Sequence, residues 1–123
     1  MDEPVVELLW WEGCPSTEPA REVLRRALDD GGLSSVPIRM VEVESDERAR
    51  ELGFRGSPTI RIDGVDVVVL AGGEDLSAGE PAGLTCRLYR RRDGRISPTP
   101  DPADVSEAIA RVAQHRRVGQ GAA

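Results

Sequence analysis

No lysine occurs in this 123-residue sequence; all 16 basic residues are arginine. The absence removes lysine nucleophiles and lysine Schiff bases. Histidine and cysteine are nearly as scarce, with His115 alone and two cysteines. Three such residues fall short of a conventional four-ligand zinc site, and nothing else in the sequence asks for a cofactor, so none is expected. A basic field is missing too: acids outnumber bases 22 to 16, for a net charge of −6. Without such a field no nucleic-acid partner is expected. No apolar run approaches the ~20 residues that span a bilayer, so no membrane partner is expected either. The opening MDEPVVELLW has acids and a strand-like run where a secretory signal needs basic and apolar parts, and a cytoplasmic location is expected. In that reducing setting a cysteine is redox-active, reactive or buried more often than it is a permanent staple.

What is present suits one α/β domain with a single modest core. Val5 to Trp10 has strand length and ends at Gly13 to Pro15. From Thr17, the residues Ala20, Val23, Leu24, Ala27 and Leu28 recur at helical spacing until Gly31-Gly32 stops them. Val36 to Val43 reads as a second strand, and Ser45 caps a short helix over 46–52. Thr59 to Ile62 and Val65 to Leu70 flank Asp63-Gly64, a strong hairpin signal. Residues 71–83 are rich in turn formers and lack periodicity, so they read as a loop that moves unless something docks on it. Leu84 to Tyr89 reads as a fifth strand, and Val105, Ala108, Ile109 and Val112 mark a last helix.

The stretch Trp10 to Thr17, WWEGCPST, puts Cys14 directly before Pro15, a residue favoured in the first turn of a helix. Amides and the macrodipole at a helix N-terminus favour a thiolate, which makes Cys14 the candidate nucleophile. A buried structural cysteine is the alternative. Trp10 and Trp11 point to opposite sides if both lie in the strand, so one is core and the other a wall near the thiol.

The order β-α-β-α-β-β-α, with WWEGCPST after the first strand and GSPTIRIDG (56–64) at the third, resembles the thioredoxin-like fold. In that fold a reactive cysteine opens the helix after the first strand, and a proline before the third strand, normally cis, lies against it. The resemblance covers residues 5–70 and the last helix, which implies one domain over 1–118 with an insertion at 71–100 and a flexible tail at 119–123. More narrowly, the EGCP, GSPT and CRLY segments resemble a group of small thioredoxin-family proteins, some of which carry organomercurial-lyase labels. Thr17 stands where the second cysteine of a C-x-x-C motif belongs, a departure from thioredoxin itself.

The resemblance implies a thiol-disulfide oxidoreductase acting on a protein disulfide or a small thiol. Cys14 would be its nucleophile, with Cys86 or an external thiol as the resolving group. Thr17 either caps the helix or hydrogen-bonds the Cys14 thiolate. Pro58, expected cis, shapes the Ser57 backbone to pair with an extended substrate or a thiol ligand beside Cys14, and Trp11 and Pro15 line the same groove. Cys86 alternates with Leu84 and Leu88, which as a strand puts all three on one core face; the other reading is a thiol that reaches Cys14. Arg87, Arg90, Arg91, Arg92 and Arg95 form the one basic run, read as a solvated hairpin edge or as a holder for an anionic thiol. Two alternatives remain: Cys14 and Cys86 as a linear soft-metal site for mercury or copper, and a non-catalytic interaction domain.

Overall fold

The computed structural model describes residues 3–121. Its first strand, β1 (Val6–Trp10), lies inside a four-stranded mixed sheet. α1 (Thr17–Asp30) carries the chain across to β2 (Ile38–Glu42), which pairs parallel to β1 with Leu8 opposite Met40. A parallel neighbour requires such a crossover. Arg25 fastens the return loop by donating to the carbonyls of Leu33, Ser34 and Val36. α2 (Asp46–Leu52) starts where Ser45 accepts a hydrogen bond from the Arg48 amide (3.1 Å). β3 (Thr59–Ile62) then runs antiparallel to β1, with Ile60 opposite Leu8, and turns at Asp63-Gly64 into β4 (Val65–Asp66). The sheet order is β2-β1-β3-β4.

Strand alternation divides the core. Val6 and Leu8 meet Leu24 and Leu28 of α1 and Val105 and Ile109 of the last helix, α4 (Pro102–Gly121). Leu9, on the opposite face, meets Ala49 and Phe54 around α2. Burial of each leucine contributes roughly 1.5–3 kcal/mol, so the alternation in β1 alone commits helices to both faces. No helix among the described residues is long and apolar enough to cross a membrane.

Three expectations change. The apolar run after Asp63-Gly64 is not one strand: β4 stops at Asp66, and Val67–Leu70 forms a helical turn, α3. The Asp66 carboxylate caps it by accepting from the Val68 amide (2.9 Å), and buried Val67 faces α4 through the main core. Leu84 to Tyr89 is not a strand along its length. Only Tyr89–Arg90 (β5) pairs in a ladder, with Ile96–Ser97 (β6), a strand absent from the sequence reading. Finally, α4 continues to Gly121, past the expected start of the tail at Gly119; residues 122 and 123 lie outside the described residues.

The β5–β6 hairpin is tied to α4. Arg92 pairs with Asp104 (2.8 Å) and Glu107 (2.9 Å), while Asp101 accepts the Arg92 and Ala103 amides (2.9 Å each). Those amide bonds hold the Asp101 carboxyl below its ordinary range, against a smaller opposing effect of burial.

Candidate functional site

Cys14 follows β1 through a tight turn in which its amide donates to the Trp11 carbonyl (3.0 Å). Gly13 permits the turn, because a Cβ there would lie 2.1 Å from the Trp11 ring. The helix begins at Thr17, where its apolar spacing starts, so Pro15 is not in its first turn as expected. Ser16 is the N-cap and Thr17 the first helical residue, so Pro15 lies exposed in the turn and Cys14 stands two residues before the cap. The Thr17 hydroxyl donates to the Cys14 carbonyl (3.5 Å), not to its sulfur. Cys14 itself is 9% exposed, and its thiol donates to the Ser57 carbonyl (3.5 Å).

Ser57 and Pro58 are buried, and the bond between them is cis. The Ser57 backbone is not open to a substrate. Its amide donates to the Thr85 carbonyl (2.8 Å), and its carbonyl accepts from the Arg87 amide (2.9 Å), a two-bond bridge that sets Cys86 opposite Ser57. The groove expected there is filled by the chain itself. In consequence Ser57 touches both cysteines: Cys14 through a hydrogen bond, Cys86 as its bridge partner. Both thiols are free, Cys14 buried and Cys86 exposed.

Residues 84–90 form a strap over this junction with the opposite phase to the one expected. Arg87 and Tyr89 point inward, at 3% exposure each, while Cys86 and Leu88 face out. Inward arginine is affordable because two carboxylates wait for it: Arg87 pairs with Asp66 and, at 3.3 Å, with Asp75, and donates to the Thr59 hydroxyl (3.3 Å). Its guanidinium lies 4.5 Å from the centre of the Tyr89 ring. The Tyr89 hydroxyl donates to the Pro58 carbonyl, and the Trp11 indole N–H donates to the Thr85 carbonyl (3.0 Å). Gly56, at φ 138°, lets the strap approach: a Cβ there would meet the Arg87 backbone at 2.9 Å.

Charge follows from this enclosure. Burial opposes the charge on Arg87, but Tyr89, Asp66 and Asp75 more than offset it, and its pKa is raised. Burial also raises the Asp75 carboxyl, yet hydrogen bonds from Ser77 and the guanidiniums of Arg87 and Arg55 prevail, leaving it below its ordinary value. Burial pushes the Tyr89 phenol far up, so it stays a neutral donor to Pro58. Among the described residues three buried side-chain polar atoms have no hydrogen-bond partner: the Ser57 hydroxyl, Arg87 Nε and Trp10 Nε1.

Trp11 folds over Gly13 and packs against the core cluster of Leu9 and Phe54, and Trp10 packs against the main core. The basic run is not a uniform solvated edge, since Arg87 is buried and Arg92 is spent on α4. The 71–83 loop is anchored through Asp75. Sequence reading missed Asp66, Asp75, Tyr89 and the burial of Arg87. One signal was available, the shared phase of Arg87 with the only tyrosine, Tyr89. Outside the strap, Cys86 lines a cleft of about 480 Å³ with Arg55, Glu80, Leu84, Leu88 and Ile96, whereas Cys14 does not line it. Among the described residues no three His, Cys, Asp or Glu side chains gather as a metal site would need. No protein-family model matches the chain, and no match was found among curated proteins or solved structures.

Proposed function

We propose that this protein is a cytosolic thiol-disulfide oxidoreductase of thioredoxin-like fold, with Cys14 as a nucleophile and Cys86 or an external thiol completing the exchange. Support for the fold comes from the sheet order β2-β1-β3-β4, from Cys14 in the turn between β1 and α1, and from the cis Pro58 immediately before β3. The observation that carries the chemistry is the meeting of two cysteine-bearing segments at Ser57, whose carbonyl accepts the Cys14 thiol and whose backbone bridges to that of Cys86, 72 residues after Cys14 in sequence. Thr17 holds the Cys14 turn through the Cys14 carbonyl, and Trp11 walls it. Exchange proceeds by thiolate attack on a disulfide sulfur, with the leaving thiolate taking up the proton.

The reading is tested by turnover of a small aromatic disulfide with dithiothreitol as the final reductant. Wild-type protein should exceed the rate of dithiothreitol alone by at least about tenfold, and replacing both Cys14 and Cys86 by serine should return it to that background. Wild-type protein at background rate, with its fold intact, overturns the reading.

A further inference from the structure

We propose that residues 84–90 are a self-bound strap that occupies the strand-pairing edge beside Cys14, restricting the thiol pair to small disulfides that reach it at Cys86 and excluding extended polypeptide disulfides. The inference rests on the oxidoreductase reading above and names its substrate class.

An extended polypeptide recognised by main-chain pairing needs a free amide and carbonyl on the edge it joins. At Ser57 both are taken, by Thr85 and Arg87. The same carbonyl that accepts the Arg87 amide also accepts the Cys14 thiol, so a peptide seated beside Cys14 would have to lift the strap first. The strap is fastened at points independent of that pairing: Arg87 to Asp66 and Asp75, Tyr89 to Pro58, Trp11 to Thr85, and the Leu84 amide to Asp46 (3.1 Å). These contacts come from five residues spread along the chain from Trp11 to Asp75.

What remains open is the outer face. Cys86 is exposed on the wall of the 480 Å³ cleft, a size within the roughly 300–1,000 Å³ of small-molecule sites. Leu84, Leu88 and Ile96 supply apolar surface, while Arg55 and Arg87 against Asp46 and Glu80 leave the charges of its lining balanced. That lining suits a compact disulfide, RSSR, better than a highly charged one. The Cys86 thiolate attacks RSSR, forming a Cys86–S–S–R mixed disulfide and releasing RS⁻. The Cys14 thiolate then attacks the Cys86 sulfur, closing a Cys14–Cys86 disulfide and releasing the second RS⁻. Both released thiolates take up the protons that the two cysteines gave to solvent. RSSR is reduced to two RSH, the protein dithiol is oxidised, and two equivalents of a small thiol restore it.

Two measurements separate the strap from the chemistry. In a Cys86→Ser background, iodoacetamide labelling of Cys14 is timed with Arg87 or Tyr89 replaced, by Arg87→Met or Tyr89→Phe; Tyr89→Phe keeps the ring and so the packing. With both cysteines present, turnover of 2-hydroxyethyl disulfide is compared with that of insulin, for wild type and for Arg87→Met. The strap predicts labelling about tenfold faster in Arg87→Met and a few-fold faster in Tyr89→Phe. It also predicts insulin reduction at background in wild type and measurable in Arg87→Met. Unchanged labelling in both variants overturns the proposal, as does wild-type protein that reduces insulin as readily as the small disulfide. Labelling that accelerates while neither disulfide is turned over by any form overturns the oxidoreductase reading and the substrate class together, and leaves the closed edge standing.

Discussion

The carbonyl of Ser57 accepts two hydrogen bonds at once, from the Cys14 thiol (3.5 Å) and from the Arg87 amide (2.9 Å). The second donor belongs to a residue whose side chain is buried against two carboxylates. The position of the strap, and with it the surroundings of Cys14, therefore depends on a charge cluster more than 50 residues away in sequence from the cysteine.

Replacing Arg87 is accordingly expected to be costly. Arg87→Met keeps the volume but leaves Asp66 and Asp75 without their shared cation, and breaking such a pair costs about 3 kcal/mol, the low end of the range because both carboxylates keep some water. Urea unfolding followed by tryptophan fluorescence measures it. A loss under about 0.5 kcal/mol would show that the pairs are no more than surface ion pairs.

Gly56→Ala tests the close approach from the other side. A methyl group there conflicts with the positive φ of Gly56 and with the Arg87 backbone, so a destabilisation of about 1–3 kcal/mol is expected. Hydrogen exchange at the Arg87 amide should accelerate by more than the global loss explains. Exchange that follows global unfolding alone would mean that the strap does not open separately.

Acid should loosen the same cluster. Asp75 has a lower pKa folded than unfolded, so the stability it adds is present at neutral pH and is lost as pH falls through the folded value, below the ordinary carboxylate range near about 4. Between about pH 5 and about pH 3 the urea midpoint of the wild type should fall more steeply than that of Asp75→Asn. Parallel falls would assign the acid sensitivity to other carboxylates.

Thr17→Cys is expected to raise small-disulfide turnover about tenfold, because a thiol one turn from Cys14 can attack the Cys14 sulfur of the Cys14–Cys86 disulfide intramolecularly and release Cys86 as a thiolate for the next substrate. Thr17 Oγ1 already reaches back to the Cys14 carbonyl (3.5 Å), so a thiol fits there without moving the helix. No gain, with the fold intact, would mean that access past the strap and not the missing thiol limits the rate.

The elements around the site were legible where the code is local. The spacing of Ala20, Leu24, Ala27 and Leu28 marks α1, Ser45 marks the start of α2, and Asp63-Gly64 marks the β3–β4 turn. Legibility fails where distant partners decide. Val67, Val68 and Val69 have strand propensity, yet the Asp66 cap and the burial of Val67 against α4 make them helical. Leu84, Cys86 and Leu88 look like the inward face of a strand; the inward face is instead Arg87 and Tyr89, because Asp66, Asp75 and the Pro58 carbonyl supply partners that no local pattern announces. The convergence of Cys86 on Ser57 could be imagined from sequence but not located.

That convergence is most directly tested by mapping disulfides after mild oxidation of the dilute monomer. The peptide pair joining Cys14 to Cys86 should appear in monomeric protein and vanish with dithiothreitol. Closing a loop of about 70 residues should also raise the stability of the oxidised form by up to ~4 kcal/mol, less any strain in the bridge. Contradiction would take the form of intermolecular dimers, or of a small-thiol adduct on Cys86 that persists while Cys14 stays reduced, since either would show that the two cysteines do not exchange with each other although both their segments meet Ser57.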